Sequence, residues 1–296
     1  MPKISVLIPV YNAESYLEAA VNCILLQSFT DFEVIIINDG STDSSMDILN
    51  ELSKKDSRIK IISRANTGIV GALNDGLKEC KGEYVARMDA DDLCRPNRFD
   101  LQIKRMESEP NLVAIGSCAI AIDPDGVSLG DAPVPLMHDE IDTQHLKGIT
   151  SIYHPAVMMD TNTVRQLGGY REPAWPAEDL DLWLRLGEVG RVANLPDKLF
   201  VWRRTLDGIV ASSQGRQEKA INWVLAECWN RRKLRTLVPT VVIKPLTTAD
   251  LLHQFGWQSL KSKQVSTARK YAYRSITSNF GSFQSWKLAF CALRGF

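Results

Sequence analysis

Apolar residues in the first half of the chain follow two alternating rhythms. Ser5-Val6-Leu7-Ile8-Pro9-Val10 is a continuous run with β-branched members, the pattern of a strand buried on both faces. Leu17, Ala20, Val21, Ile24 and Leu25 then recur at helical spacing along one stripe. The alternation continues with a strand over 33–38, a helix over 42–54 that a Ser/Thr/Asp cluster can cap, a strand over 59–63, a helix over 69–80 and a strand over 84–88. Strand and helix in strict turn predict an α/β fold, a mostly parallel, Rossmann-like sheet with right-handed crossovers and helices on its flanks. A helix is expected from Pro96 to about Glu109, and a strand over 112–116. Pro, Gly and Asp thin the pattern from Ile122 to Pro135, which reads as part of a surface loop reaching to about residue 150. A second patterned region runs from His154 to Arg203. Beyond Gly215 the spacing is helical, with Ile221, Val224, Leu225 and Cys228 on one stripe and further helices at about 248–262, 265–278 and 282–294.

Composition changes this picture little. In 296 residues, 45% are apolar and 24% charged, which excludes a disordered, collagenous or coiled-coil chain. No window is long and apolar enough to span a membrane, and the start Met1-Pro2-Lys3 does not read as a signal peptide. The six cysteines contain no C-x-x-C pair and read as reduced thiols, so a cytoplasmic protein is expected. Charge adds more. Residues 1–215 hold 21 Lys+Arg against 32 Asp+Glu, a balance of −11, and residues 216–296 hold 14 against 3, a balance of +11. The split predicts two parts with different partners, or an ordinary helical subdomain with a solvated basic face.

Ligands of an open parallel sheet bind beyond the carboxyl ends of its strands, and the residues there are polar. Tyr11-Asn12 follow the first strand, Asn38-Asp39-Gly40-Ser41 the second, Asn66-Thr67-Gly68 the third and Asp89-Ala90-Asp91-Asp92 the fourth. Turns and helix caps account for Gly40, Ser41 and Thr42 individually, but not for three carboxylates in four positions. Neighbouring carboxylates repel and raise one another's pKa unless a cation neutralises them, and an oxygen-only set suits Mg²⁺ or Mn²⁺. The glycine and distal glutamate of an EF-hand are missing, as are the G-x-G-x-x-G of a dinucleotide fold and the P-loop. A second acidic group, Glu178-Asp179-Leu180-Asp181, opens a helix whose apolar face holds Leu180, Trp183 and Leu184. Carboxylates in a first turn favour the helix dipole by about 0.3–1 kcal/mol, and a carboxylate there can equally accept a proton in group transfer.

Taken together, "SVLIPVYN" at 5–12, "NDGSTD" at 38–43, Asn66-Thr67-Gly68 with Asn74-Asp75-Gly76, "RMDADD" at 87–92, "HPAVMM" at 154–159, "GGYRE" at 168–172 and "AEDLDLWLRL" at 177–186 resemble glycosyltransferase family 2. Individually most of these motifs are weak, whereas seven in order are specific, and the resemblance covers residues 3–213. It implies a GT-A fold over residues 1–214, with a donor-binding half at about 1–116 and an acceptor half at about 150–214, followed by a basic helical C-terminal extension over 215–296. The implied activity is inverting transfer of a sugar from a nucleotide donor, usually a UDP sugar, with a divalent metal, Mn²⁺ or Mg²⁺. Position by position, Pro9, Tyr11, Asn12, Asp39 and Asn66 would line the donor pocket, Asp39 accepting from the base. Asp89 would reach the ribose or the diphosphate side and the metal, Asp91 would hold the metal, and Arg203 would face the donor. Asp179 would be the base with Glu178 beside it, while His154, Asp181 and Trp183 would lie on the acceptor side, His154 being equally readable as a structural histidine.

The chain departs from the family pattern after Trp202-Arg203, where many members carry Arg-x-His and this one has Arg203-Arg204-Thr205. Either Asp91, phosphate and water hold the metal, or Arg203 and Arg204 neutralise the diphosphate directly. The resemblance implies a saccharide or lipid-linked acceptor in bacterial surface polysaccharide synthesis and no nucleic-acid partner. A nucleotide-sugar binding protein without transfer activity is the rival that Thr205 motivates. Arg231, Arg232, Lys233 and Arg235, with Phe283, Trp286, Phe290 and Leu293 at helical spacing, read as peripheral contact with the inner face of the cytoplasmic membrane, or as packing against the acidic catalytic part.

Overall fold

A computed structural model describes residues 1–206, 214–244 and 246–295. Four strands form the first half of one sheet: β1 (Ile4–Val10), β2 (Phe32–Asn38), β3 (Ile59–Ser63) and β4 (Tyr84–Arg87), all paired in parallel in the order β3-β2-β1-β4. Their side chains alternate between two cores. Ile4, Val6, Ile8 and Val10 of β1 pack with Leu17, Val21 and Ile24 of α1 (Leu17–Leu25), with α2 (Ser45–Lys55) and with Phe99 and Ile103 of α4 (Arg98–Ser108). Leu7, Ile35 and Ile37 face the other way, onto Val70, Leu73 and Leu77 of α3 (Ile69–Glu79). Two apolar faces are why these strands read as unbroken runs rather than as alternation.

The sheet then changes direction. Beyond β4 it continues β8-β6-β9-β5, where β5 is Leu93–Cys94, β6 is Leu112–Ile122, β8 is Met158–Asp160 and β9 is Arg191–Arg203; β7 (Ser128–Ala132) hangs on β6. The joins β4–β8, β8–β6 and β9–β5 are antiparallel, and β6 with β9 forms a long parallel ladder. Parallel ladders carry most of the paired residues, in line with the α/β expectation. α5 (His138–His145), α6 (Thr161–Gln166) and α7 (Glu178–Val189) complete this half.

The region expected to be a loop from 122 to 150 is instead partly regular, because it contains β7 and α5. β7 escapes a reading by hydrophobicity because its sequence is Ser-Leu-Gly-Asp-Ala and it pairs through a register shift at Ala121/Ile122. Gly130 within it has φ +121°, and a Cβ there would collide with Ser262, just past the end of the helix packed across it. The boundary expected at 214/215 abuts residues 207–213, which lie outside the described residues. After it come α8 (Gln214–Arg232), α9 (Thr248–Lys261), α10 (Val265–Ser278) and α11 (Phe283–Arg294). Ile221, Val224, Leu225 and Cys228 of α8 bury against Leu180 and Leu184 of α7. Leu252, Phe255 and Tyr271 of α9 and α10 cover β6 and β7, and α11 packs on the outside of these helices through Leu288 and Ala292.

Candidate active site

The loops at the carboxyl ends of β1, β2 and β3 are tied to one another by side chains. Asn12, held at φ +49°, donates its amide N–H to Ser41 Oγ at 3.1 Å, and its Oδ1 accepts from the Thr42 amide at 2.8 Å. The Asp39 carboxylate accepts from the amides of Thr67 (3.2 Å) and Gly68 (2.9 Å) and pairs with Arg64 at 3.2 Å. Gly40 has φ +74°, and a Cβ there would sit 2.8 Å from the Asn66 amide nitrogen, so close approach of the two loops requires glycine. Pro9 is buried within β1, whereas Tyr11 and Asn66 are exposed beside this shelf.

Directly after β4, Asp89, Asp91 and Asp92 each offer a carboxylate oxygen within 4.8 Å of the others. Burial and the neighbouring Asp89 charge push the Asp91 carboxyl up to about 6, and Asp92, fully buried beside both, is raised well above its ordinary value. β9 shapes this loop: the Arg203 amide donates to Asp92 Oδ1 at 2.7 Å and its Nε to the Asp91 carbonyl at 2.8 Å. Oxygen-only, hard and electrostatically strained, the three carboxylates fit a divalent cation of the Mg²⁺ or Mn²⁺ type. Asp92, which the sequence reading left out of the metal set, lies within reach of the other two carboxylates.

Across from this loop stands the start of α7. Burial and the adjacent Asp179 push the Glu178 carboxyl up to about 7, and Glu178 Oε2 has no hydrogen-bond partner among the described residues. Asp179 is raised by burial too, while Oδ1 accepts from the Leu180 amide at 2.7 Å. Both carboxyls feel the charges of Asp89 and Arg87, so the two acidic groups, almost ninety positions apart in sequence, belong to one electrostatic site.

Arg87, the last residue of β4, is the cation between them, and it was not among the residues singled out from sequence. It is buried, pairs with Asp89 at 2.5 Å, and leaves Nε and Nη1 without a partner among the described residues. Burial pulls its pKa down and the Asp89 charge more than offsets that. A lone arginine inside the otherwise apolar run Tyr84–Met88 was the available signal.

Several expected contacts are differently placed. Asp181 is fully buried and locked between Arg171 (Nε to Oδ2, 2.9 Å) and Arg185 (Nε to Oδ2, 2.9 Å), so it supports the helix and does not face an acceptor. Trp183 is also fully buried, edge-on to His154. His154 Nε2 sits 2.7 Å from the Tyr170 hydroxyl, and burial followed by the nearby Arg87 holds its pKa well below the usual value, the structural alternative for this histidine. Arg203 does not offer a free guanidinium to a diphosphate: Nη1 donates to the Pro124 carbonyl at 3.1 Å, and the group stacks 4.3 Å over the Tyr16 ring. Arg204 points away, to Gln258 (3.0 Å) and Gln254 (3.1 Å) of α9. Asn74, by contrast, acquires a clear duty, exchanging bonds with the Tyr170 carbonyl (2.8 Å) and amide (2.9 Å) and so fixing the "GGYRE" turn on α3.

A family model described as glycosyl transferase family 2 matches residues 5–156. A putative glycosyltransferase, EpsE, of Bacillus subtilis is 34% identical over 215 residues, covering 70% of this chain and 74% of that one. An uncharacterized glycosyltransferase of Haemophilus influenzae is 34% identical over 212 residues, covering 68% of this chain and 65% of its own length. A chondroitin synthase of Pasteurella multocida is 30% identical over 195 residues, covering 66% of this chain and only 20% of the synthase. The chain therefore corresponds to less than two thirds of some of these relatives. Among solved structures, TarS of Staphylococcus aureus with UDP aligns with a TM-score of 0.58 at 19% identity, covering 99% of this chain and 92% of that one. The mannosyltransferase PcManGT of Pyrobaculum calidifontis in complex with GDP-Man and Mn²⁺ aligns with a TM-score of 0.57 at 17% identity, covering 99% and 80%. At such identities the likeness shows the fold, which is of the GT-A type.

Proposed function

The chain belongs to glycosyl transferase family 2, and from that premise we propose that it transfers a sugar from a nucleotide donor, a UDP sugar by preference, to a saccharide or lipid-linked acceptor in surface polysaccharide synthesis, with inversion and with a divalent metal. One observation carries the reading: the Asp89–Asp91–Asp92 cluster and the Glu178–Asp179 pair act on each other electrostatically around the buried Arg87. UDP in the TarS structure, and GDP-Man with Mn²⁺ in PcManGT, support donor and metal. The name of the Pasteurella synthase supports polysaccharide as product.

In this reading the shelf of Pro9, Tyr11, Asn12, Asp39 and Asn66 receives the nucleoside. Asp39 spends part of its accepting capacity on the Thr67 and Gly68 amides and keeps the rest for the base. Asp89 and Asp91, with Asp92 beneath them, would hold the metal, which when bound stabilises negative charge on the departing diphosphate. Arg203 is a positioning residue that sets the backbone of the Asp91–Asp92 loop. Asp179 takes the proton of the acceptor hydroxyl as its oxygen bonds to the anomeric carbon and the bond to the phosphate oxygen breaks, the electron pair leaving with the nucleotide. A base within hydrogen-bond reach contributes about 10² to 10⁴-fold. Burial and the Asp89 charge raise the basicity of Asp179, Glu178 stands beside it, and Asp181, Trp183, His154 and Tyr170 hold the helix start in place.

Turnover tests the proposal. Incubation with a panel of UDP and GDP sugars and Mn²⁺, read by nucleotide release and by the anomeric configuration of the product, should give metal-dependent transfer or slow hydrolysis. Metal-dependent binding with no turnover of any donor would replace it with the nucleotide-sugar binding protein that Thr205 suggests.

A further inference from the structure

The basic C-terminal residues divide into two populations. The two at the end of α8 are consumed inside the molecule: Arg231 pairs with Glu188 at 2.9 Å, and Arg232 with Asp142 at 2.8 Å. Of the four basic residues clustered there, Arg231 and Arg232 are thus engaged within the protein, while Lys233 and Arg235 are exposed. Lys270 of α10 is likewise paired, with Asp123 at 2.5 Å. The aromatic stripe of α11 has the opposite fate. Phe283, Trp286, Phe290 and Leu293 are 80%, 46%, 56% and 70% exposed, not packed against the catalytic part. On a helical wheel they fall within roughly 80°, opposite the face that buries Ser285, Leu288 and Ala292. Phe280 extends the strip past the α10–α11 turn, its ring 5.2 Å from that of Trp286, whose Nε1 donates to the Phe280 carbonyl at 2.8 Å. Tyr273, seven positions earlier on α10, is 71% exposed.

Charge identifies what covers this strip. From residue 251 to 296 there are seven Lys and Arg and no Asp or Glu. Lys287 and Arg294 border the stripe on α11, with the Arg294 guanidinium 4.7 Å over the Phe290 ring, and Arg269 caps the last turn by donating to the carbonyls of Ala292 and Leu293 at 3.0 Å each. A protein partner needs no such one-sided surround, whereas an anionic bilayer does: aromatics enter the headgroup boundary while long basic side chains stay at the phosphates. Among the described residues no helix is long and apolar enough to cross a membrane, and an in-plane helix needs none.

We propose that α11, with the α10–α11 turn, lies flat on an anionic phospholipid surface, Phe283, Trp286, Phe290 and Leu293 inserted and Lys287, Arg294 and Arg269 on the headgroups. The inference stands on exposure and charge, independently of the transfer reaction. Flotation of the full chain tests it, on vesicles of equal parts phosphatidylcholine and phosphatidylglycerol and on phosphatidylcholine alone. The chain should float with the anionic vesicles at low salt, and the bound fraction should fall at least about tenfold at high salt, on neutral vesicles and in Lys287→Glu/Arg294→Glu. Phe283→Ser/Phe290→Ser, altering only exposed side chains, should lose flotation with an unchanged melting temperature and unchanged UDP binding. Failure of the wild-type chain to float, or undiminished flotation of either double variant, overturns the proposal. A concentration-dependent dimer that the serine variant disperses, without flotation, overturns it in favour of a contact between copies.

Discussion

Five carboxylates share the field of Arg87, and their unequal environments separate their duties. Asp91→Asn keeps the shape of the metal loop and loses a charge, so calorimetry should show UDP binding that Mn²⁺ no longer enhances. Asp179→Asn should leave donor affinity nearly intact and lower turnover by at least about 10²-fold in steady-state kinetics. Glu178 makes a prediction about stability. Its folded pKa, about 7, lies above its ordinary 4.5, so its contribution is fully present below pH 4.5 and is lost as pH rises through 7. At about 1.4 kcal/mol per pH unit the loss is of the order of 3 kcal/mol. In the metal-free protein, the melting temperature of Glu178→Gln should therefore gain on wild type by about 5 °C between pH 4.5 and pH 8, as calorimetric scans would show. The acidic cluster was legible in the sequence because its members are adjacent. Arg87 and the burial of Asp181 were not, because nothing in a linear pattern tells which polar residues of a strand or a helix turn face inward.

Helix α7 carries both the proposed base and a buried ion-pair scaffold. Its first turn exposes Glu178 and Asp179 to the site, and two residues later Asp181 turns into the protein between Arg171 and Arg185, whose guanidinium in turn holds the Leu167 and Gly169 carbonyls at 2.9 and 2.7 Å. Removing one member of a buried ion pair leaves its partners' charge uncompensated, so Asp181→Ala should cost about 3–5 kcal/mol in urea unfolding. An acceptor contact at Asp181 would instead raise KM without that loss. Helical periodicity marked the start of this element and located α9 to α11 to within a residue or two, since 3.6-residue spacing survives any choice of tertiary partner. β7 stayed hidden because its pairing is an edge affair with a glycine and an aspartate in a five-residue strand.

At the scale of the molecule, the net charge of zero is assembled from opposite halves that meet at specific ion pairs. The fully buried Asp123 is the densest of these junctions: its Oδ2 accepts from Lys270 Nζ at 2.5 Å and from the Tyr271 hydroxyl at 2.8 Å, and its Oδ1 from the Val127 amide at 2.8 Å. Asp123→Ala should raise hydrogen exchange across α9 to α11 while leaving β1 to β4 protected, because these strands draw on separate cores.

The bond from the Arg203 amide to Asp92 joins residues 111 positions apart, and β9 also supplies the partner strand of β5, Leu93 facing Val201. Synthesis gives that separation a duration. Ribosomes add roughly 5 to 20 residues per second, so the strand that shapes the acidic loop emerges on the order of ten seconds after the loop itself. During that interval β1 to β4 can already pair, and the loops at their carboxyl ends with them, while the carboxylate loop still lacks the backbone donor that orders it. The nascent chain thus acquires its parts in sequence, and the acidic loop is ordered only after β9 has been made.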